Sequence, residues 1–103
     1  MVKQVGEIIR EKREQKGMLL RHLAAEIDID QALLSKIERG QRKATKEQIL
    51  KFETIFDIKK GELMLQYLSE NIAYEIMEVK NARAVLHFAE DKLEYLRKLN
   101  KGK

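Results

Sequence analysis

The sequence has no cysteine, no proline and no tryptophan, and only five glycines among its 103 residues. Without cysteine the chain has no disulfides, no thiolate metal ligands and no cysteine nucleophile. Proline and glycine interrupt regular structure, so their scarcity in a chain rich in Leu, Glu, Lys, Arg and Ala favours helices. We therefore expect an all-α protein, with room for one small domain or for a domain and an extension.

No hydrophobic run is long enough to span a membrane, and the N-terminus lacks the apolar segment of a signal peptide. Hydrophobic residues nevertheless make up 44% of the chain, which is enough to form a core. These features predict a cytoplasmic protein that has no membrane partner.

Positive charge is concentrated in one short segment. Residues 1–60 carry fourteen basic and ten acidic side chains, whereas residues 61–103 carry seven of each. Between Lys36 and Lys51 there are six basic side chains and only two acidic ones, Glu38 and Glu47. A clustered basic stripe is typical of a surface that binds nucleic acid, although a solvated charged face would give the same pattern.

Hydrophobic spacing before residue 60 predicts four short helices. Gly40 is expected to end the third helix, and Asp28 to occupy a left-handed turn position after the second. Asp30 is a suitable N-cap for the third helix. Thr45 and Gln48 form the pattern of a capping box at the start of the fourth.

Beyond Lys60 the apolar residues keep helical spacing as far as Val79, and after a break at Asn81 their spacing alternates between four and three residues. Such alternation is typical of a coiled-coil seam. Two helices with this much apolar surface are expected to pack as a hairpin and to leave one stripe for a twofold partner. The residues expected in this dimer interface are Leu68, Ile72, Ile76, Leu86, Leu93 and Leu96. Alternatively, the hairpin folds back onto the first domain of a monomer.

The segment from Leu20 to Glu38 contains two short helices joined by a tight turn, the arrangement of a helix-turn-helix. The strings VGEIIR, REQKG, LA and LSKIERG follow one another between residues 5 and 65. Together they resemble the XRE/phage-repressor (Cro/C1-type) helix-turn-helix family. The resemblance implies a five-helix, lambda-repressor-like DNA-binding domain over residues 1–66 and a helical extension over residues 67–103.

The resemblance also implies which residues meet DNA. At the base-facing positions, glutamine is able to pair with adenine, lysine to donate to guanine, and an apolar side chain to meet a thymine methyl group. These positions are Gln31, Ala32, Leu33 and Lys36. The phosphate contacts, which fix register rather than read sequence, are Arg21, Ser35, Arg39, Gln41, Arg42 and Lys43.

Arg13 and Glu38 match a family pair that forms a structural salt bridge. Two positions depart from the family pattern, because Leu19 and Leu20 stand where a capping residue and a polar phosphate contact are usual. Arg21 is expected to replace that lost phosphate contact.

The function expected is sequence-specific regulation of transcription by a dimer on double-stranded DNA, as a repressor, an autoregulator or a controller of restriction–modification genes. The alternative is a helical adaptor or an antitoxin-like protein that binds a protein partner. RNA binding is disfavoured because no aromatic residues interleave the basic ones. His22 and His87 lack metal-binding spacing, and no phosphate loop or nucleophile motif occurs. We therefore expect no enzyme activity, metal, cofactor or small-molecule ligand.

Overall fold

The computed structural model describes residues 2–101, and all regular structure within that range is α-helical. The helices are α1 (Val5–Gln15), α2 (Leu20–Glu26), α3 (Gln31–Glu38), α4 (Lys46–Ile55), α5 (Glu62–Ile76) and α6 (Ala82–Lys101). The all-α prediction is confirmed. No helix of the described range is both long and apolar enough to cross a membrane. The chain divides into two compact units, one ending at Asn71 and the other beginning at Ile72.

Local side-chain chemistry sets the ends of α2, α3 and α4 as the sequence predicts. Asp28 occupies the left-handed region, with φ of 58°. Asp30 caps α3, since its Oδ1 accepts the N–H of Ala32 at 2.8 Å. At the start of α4, Gln48 N–H donates to Thr45 Oγ1 at 3.1 Å, and Thr45 N–H donates to Gln48 Oε1 at 2.9 Å. The start of α3, on which the predicted base-facing residues depend, is therefore defined by its own sequence.

The core of the first unit is built from the apolar faces of α1 to α5. Its most deeply buried side chains are Ile9, Leu23, Ile27, Leu34, Ile49, Phe52 and Leu63. α1 and α3 approach closely at Gly6, where a Cβ atom would lie against the carbonyl oxygens of Ile37 and Glu38, 2.7 Å from the latter. The absence of a side chain at Gly6 therefore sets how closely α3 sits on the first helix.

The start of α5 is capped by a carboxylate from α4. Glu53 is buried, and its Oε2 accepts the N–H groups of Gly61, Leu63 and Met64 at 2.9 to 3.0 Å. Burial alone would raise the pKa of Glu53. The three hydrogen bonds and the nearby charge of Lys60 outweigh burial, so the pKa lies below its ordinary value.

The first part of α5 belongs to the core of the first unit. Tyr67, expected at the start of the extension, is buried and donates its hydroxyl to the carbonyl oxygen of Ala44 at 2.6 Å. One turn later, Glu70 Oε1 accepts the N–H of Val5 at 2.9 Å. These two bonds attach α5 to the start of α4 and to the start of α1.

α6 is an amphipathic helix of 20 residues, none of which is buried. Its apolar side chains are instead among the exposed large hydrophobics of the described residues, including Val85, Leu86, Phe88, Leu93, Tyr95, Leu96 and Leu99. The expectation that the two C-terminal helices pack as a hairpin stays a prediction, as does the dimer interface. We call these side chains the apolar stripe of α6, and in the single chain they are exposed.

Candidate nucleic-acid interface

α3 has one buried face and one exposed face. Leu34 and Ile37 are buried in the core, whereas Gln31, Ala32 and Lys36 are exposed. This division follows from helical geometry, because positions three and four apart share a face. Three of the four predicted base-facing residues therefore lie together on the solvent side of α3.

The fourth predicted base-facing residue, Leu33, has a different environment. It is half-buried and packs against the core cluster. It is also not among the residues that line an open depression beside the exposed face of α3. Leu33 is therefore less exposed than the other three predicted base-facing residues.

We call this depression the α3 hollow. It is an open depression of about 510 Å³, lined by Leu20, Asp30, Gln31, Ala32, Ser35, Lys36 and Arg39. It brings together amide, ammonium, guanidinium and hydroxyl groups, which are able to bond base edges and phosphates. It also contains the carboxylate of Asp30, whose Oδ1 accepts the N–H of Ala32. Sequence reasoning did not place Leu20 or Asp30 here, because an N-cap and an apolar helix start have no DNA-binding signature.

The predicted phosphate-contacting residues come from three parts of the chain, and two of them, Ser35 and Arg39, line the α3 hollow. Arg21 is exposed on α2, and Gln41, Arg42 and Lys43 are exposed in the connection between α3 and α4. Arg39, at the end of α3, is exposed and donates its Nε to the carbonyl oxygen of Ser35 at 3.3 Å. The cationic ends of these side chains are thus available to an anionic ligand.

Arg13 of α1 and Glu38 of α3 form an ion pair that is largely buried. Arg13 Nε donates to Glu38 Oε2 at 2.8 Å, and Nη2 donates to Oε1 at 3.1 Å. Arg13 Nη1 also donates to the carbonyl oxygen of Met18 at 2.8 Å. The hydrogen bond to Glu38 raises the pKa of Arg13 despite the opposing effect of burial. One of the two carboxylates between Lys36 and Lys51 is therefore buried and neutralised by α1.

His22 has a role that the sequence did not reveal. Its Nδ1 accepts the N–H of Leu19, at 3.4 Å, across the first turn of α2. This long bond is one half of a capping box, in which the side chain of the third helical residue accepts the N–H of the N-cap residue. The other half is missing, because Leu19 has no polar side chain. Among the described residues, no group of three or more His, Cys, Asp or Glu side chains is arranged to hold a metal ion.

These features define a helix-turn-helix DNA-binding protein. The family model described as Helix-turn-helix matches residues 9–63, more than half of the chain. The chain belongs to the XRE/Cro-C1-type helix-turn-helix family, and its fold is lambda-repressor-like. This is a family of DNA-binding transcription regulators rather than of enzymes. No curated protein and no solved structure matches the chain significantly. The family match ends within α5, so α6 lies outside it.

Proposed function

We propose that the protein regulates transcription in the cytoplasm by binding, as a homodimer, to a palindromic operator in double-stranded DNA. The observation that carries this proposal is the exposed face of α3. It presents Gln31, Ala32 and Lys36 around the α3 hollow. Occupation of promoter DNA by such a dimer blocks or redirects transcription, which favours a repressor or an autoregulator.

The hydrogen-bonding groups of α3 supply the sequence reading in this proposal. The amide of Gln31 fits the donor and acceptor pattern of an adenine edge, and the ammonium of Lys36 fits the two acceptors of guanine. Both side chains are exposed and project from a helix that is held rigidly by its buried face. Rigid presentation favours specific contacts because little conformational freedom remains to be lost on binding.

The basic side chains supply affinity that does not depend on sequence. Arg21, Arg39, Arg42 and Lys43 are all exposed. Glu38 does not oppose them, because Arg13 neutralises it inside the domain. Each phosphate contact releases counterions, so the affinity should fall steeply as salt rises.

The homodimer is supported by α6 and by the size of a DNA half-site. One recognition helix reads only a few base pairs, so proteins of this kind gain specificity by binding two half-sites about one helical turn apart. The uncovered stripe of α6 is long and apolar, and an identical helix is able to bury it. The second candidate function is that of a helical adaptor or antitoxin-like protein that binds a protein partner, and the same stripe favours it.

The test is selection of duplexes from a random library by the full-length protein. We expect enrichment of a palindromic motif that is bound at least about 10³-fold more tightly than random duplex. Binding measured at two salt concentrations should weaken on both DNAs as salt rises. Failure to enrich any motif, together with salt-independent binding, would contradict the proposal and favour the protein-partner alternative.

A further inference from the structure

Leu20 is the apolar side chain that α2 contributes to the α3 hollow. It is the first residue of α2, it is half-buried, and its inner part packs against the core cluster. The core thus holds Leu20 in place, while the rest of its side chain borders the open hollow. Ala32 of α3 is the other small apolar side chain in the same lining.

The other residues that line the α3 hollow indicate which part of DNA would contact Leu20 and Ala32. Gln31 and Lys36, which border the same hollow, are the side chains proposed to bond base edges. Ser35 and Arg39, which also line the hollow, are predicted phosphate contacts, so the hollow would border both base edges and backbone. Base edges that Gln31 and Lys36 bond would lie in the major groove. The only apolar group that unmodified DNA presents in the major groove is the C5-methyl group of thymine.

We propose that Leu20, together with Ala32, forms a contact for a thymine methyl group, and that Leu20 is a specificity-determining residue. The proposal rests on the proposed DNA-binding function and deepens it. Apolar surface that is exposed to water in the hollow has an unfavourable hydration free energy. Covering it with another apolar group is therefore favourable. Each methyl group covered should strengthen binding about fourfold.

Deoxyuridine is the probe, because it differs from thymidine only in lacking the C5-methyl group and keeps the same hydrogen-bonding edges. A duplex selected by the full-length protein is resynthesised with each thymine replaced in turn by uracil. We expect one position in each half-site at which the replacement weakens binding about fourfold. If no replacement weakens binding while the parent duplex is still bound specifically, the proposal is overturned and the DNA-binding function stands.

Variants at position 20 test whether Leu20 causes the preference for thymine over uracil. In Leu20→Ala and Leu20→Gln, the preference for the parent over the uracil duplex at that position should fall well below fourfold, because only Ala32 of the contact remains. Leu19→Ala is the matched control, since Leu19 is an exposed neighbour of the same type that lies outside the hollow lining. It should keep the full fourfold preference.

Folding of each variant is checked by circular dichroism. A folded Leu20→Gln or Leu20→Ala variant that keeps the fourfold preference would overturn the assignment to Leu20 and leave the methyl contact to Ala32 alone. If substitution at Leu20 prevents folding, Leu20→Met restores an apolar side chain of similar size. It should retain the preference, and a folded Leu20→Met variant without it would also overturn the assignment.

Discussion

The guanidinium of Arg13 and the carboxylate of Glu38 bind each other through two parallel hydrogen bonds, with N–O distances of 2.8 and 3.1 Å. Their side chains are only 12% and 4% exposed. The pair joins α1 to the last residue of α3, and it therefore helps to orient the helix that carries the DNA-facing side chains. A bidentate geometry of this kind is both strong and directional.

Glu38→Ala should destabilise the fold by about 3 kcal/mol, because it leaves the largely buried charge of Arg13 without its counter-charge. The control is Glu11→Ala, which removes an ion pair on the surface. In that pair the side chain of Lys3 is 49% exposed and that of Glu11 is 44% exposed. That variant should lose less than about 1 kcal/mol. Urea denaturation measures the free energy of unfolding of both variants. Loss of DNA binding by Glu38→Ala at unchanged stability would instead place Glu38 in the DNA interface.

Gly6→Ala should cost about 3 kcal/mol, since its Cβ would press on backbone oxygens of α3, which have little freedom to move. Gly17→Ala is the comparison. Gly17 has φ of 66° but open space around it, so only the left-handed backbone is penalised, by about 1 kcal/mol. Thermal unfolding of the two variants compares the costs directly. Equal losses would mean that α1 and α3 separate at little cost.

The buried carboxylate of Glu53 should make the free energy of unfolding depend on pH in the acidic range. Its pKa in the folded protein lies below the ordinary value of 4.5. Its stabilising contribution is therefore complete above pH 4.5 and is lost as the pH falls through the lower pKa of the folded state. The free energy of unfolding should accordingly decrease on acidification in that range.

Glu53→Gln isolates this effect. It should lose about 2 kcal/mol at neutral pH, because the charge-assisted bonds to three backbone N–H groups become weaker. The difference in unfolding free energy between wild type and variant should shrink as the pH falls below 4.5. Glu62→Gln, which changes an exposed carboxylate in the first turn of α5, is the control and should alter the free energy of unfolding at neutral pH by less than about 0.5 kcal/mol. A difference that stays constant with pH would refute the assigned role of Glu53.

Local features of this fold were predictable from sequence, and contacts between distant segments were not. Thr45, Gln48 and Asp30 act within three residues of their partners, so spacing alone reveals them. Glu53 and Glu70 bond backbone groups 8 to 11 and 65 residues away, and in the sequence each resembles an ordinary helical carboxylate. The α3 hollow shows the same limit, since Leu20 enters it from another helix.

The residues of the candidate interface should divide into two groups with different effects on DNA binding. Gln31→Ala and Lys36→Ala should each cost about 1–3 kcal/mol on the selected operator and relax the preference at one base pair. Arg42→Ala and Lys43→Ala should weaken binding to all DNA alike and reduce the slope of log affinity against log salt by about one.

Fluorescence anisotropy on operator and random duplexes separates the two groups. Lys80→Ala, an exposed lysine in the turn between α5 and α6, is the control and should bind both duplexes as the wild type does. If all four interface variants lost the same affinity on both duplexes, α3 would not be reading sequence.

The apolar stripe of α6 should hold the dimer together. Leu86 and Leu93 lie on it seven residues apart and are 43% and 49% exposed, so a charge at either position leaves the fold of the single chain intact. In a dimer the same charges would be buried without partners. We therefore expect the double variant Leu86→Glu, Leu93→Glu to sediment as a monomer at micromolar concentration, where the wild type is a dimer.

Loss of the dimer should also weaken operator binding by about 10²-fold or more, because the second half-site is then no longer bound by a linked partner. Lys98→Glu, an exposed position on the polar side of α6 that changes the net charge by as much as the double variant, is the matched control and should remain dimeric with full affinity. A wild type that is monomeric yet binds the palindrome with full affinity would show that α6 is not needed for a dimer on DNA. A double variant that remains dimeric would place the dimer interface elsewhere in the chain, and the stripe of α6 would then be free for a different protein partner.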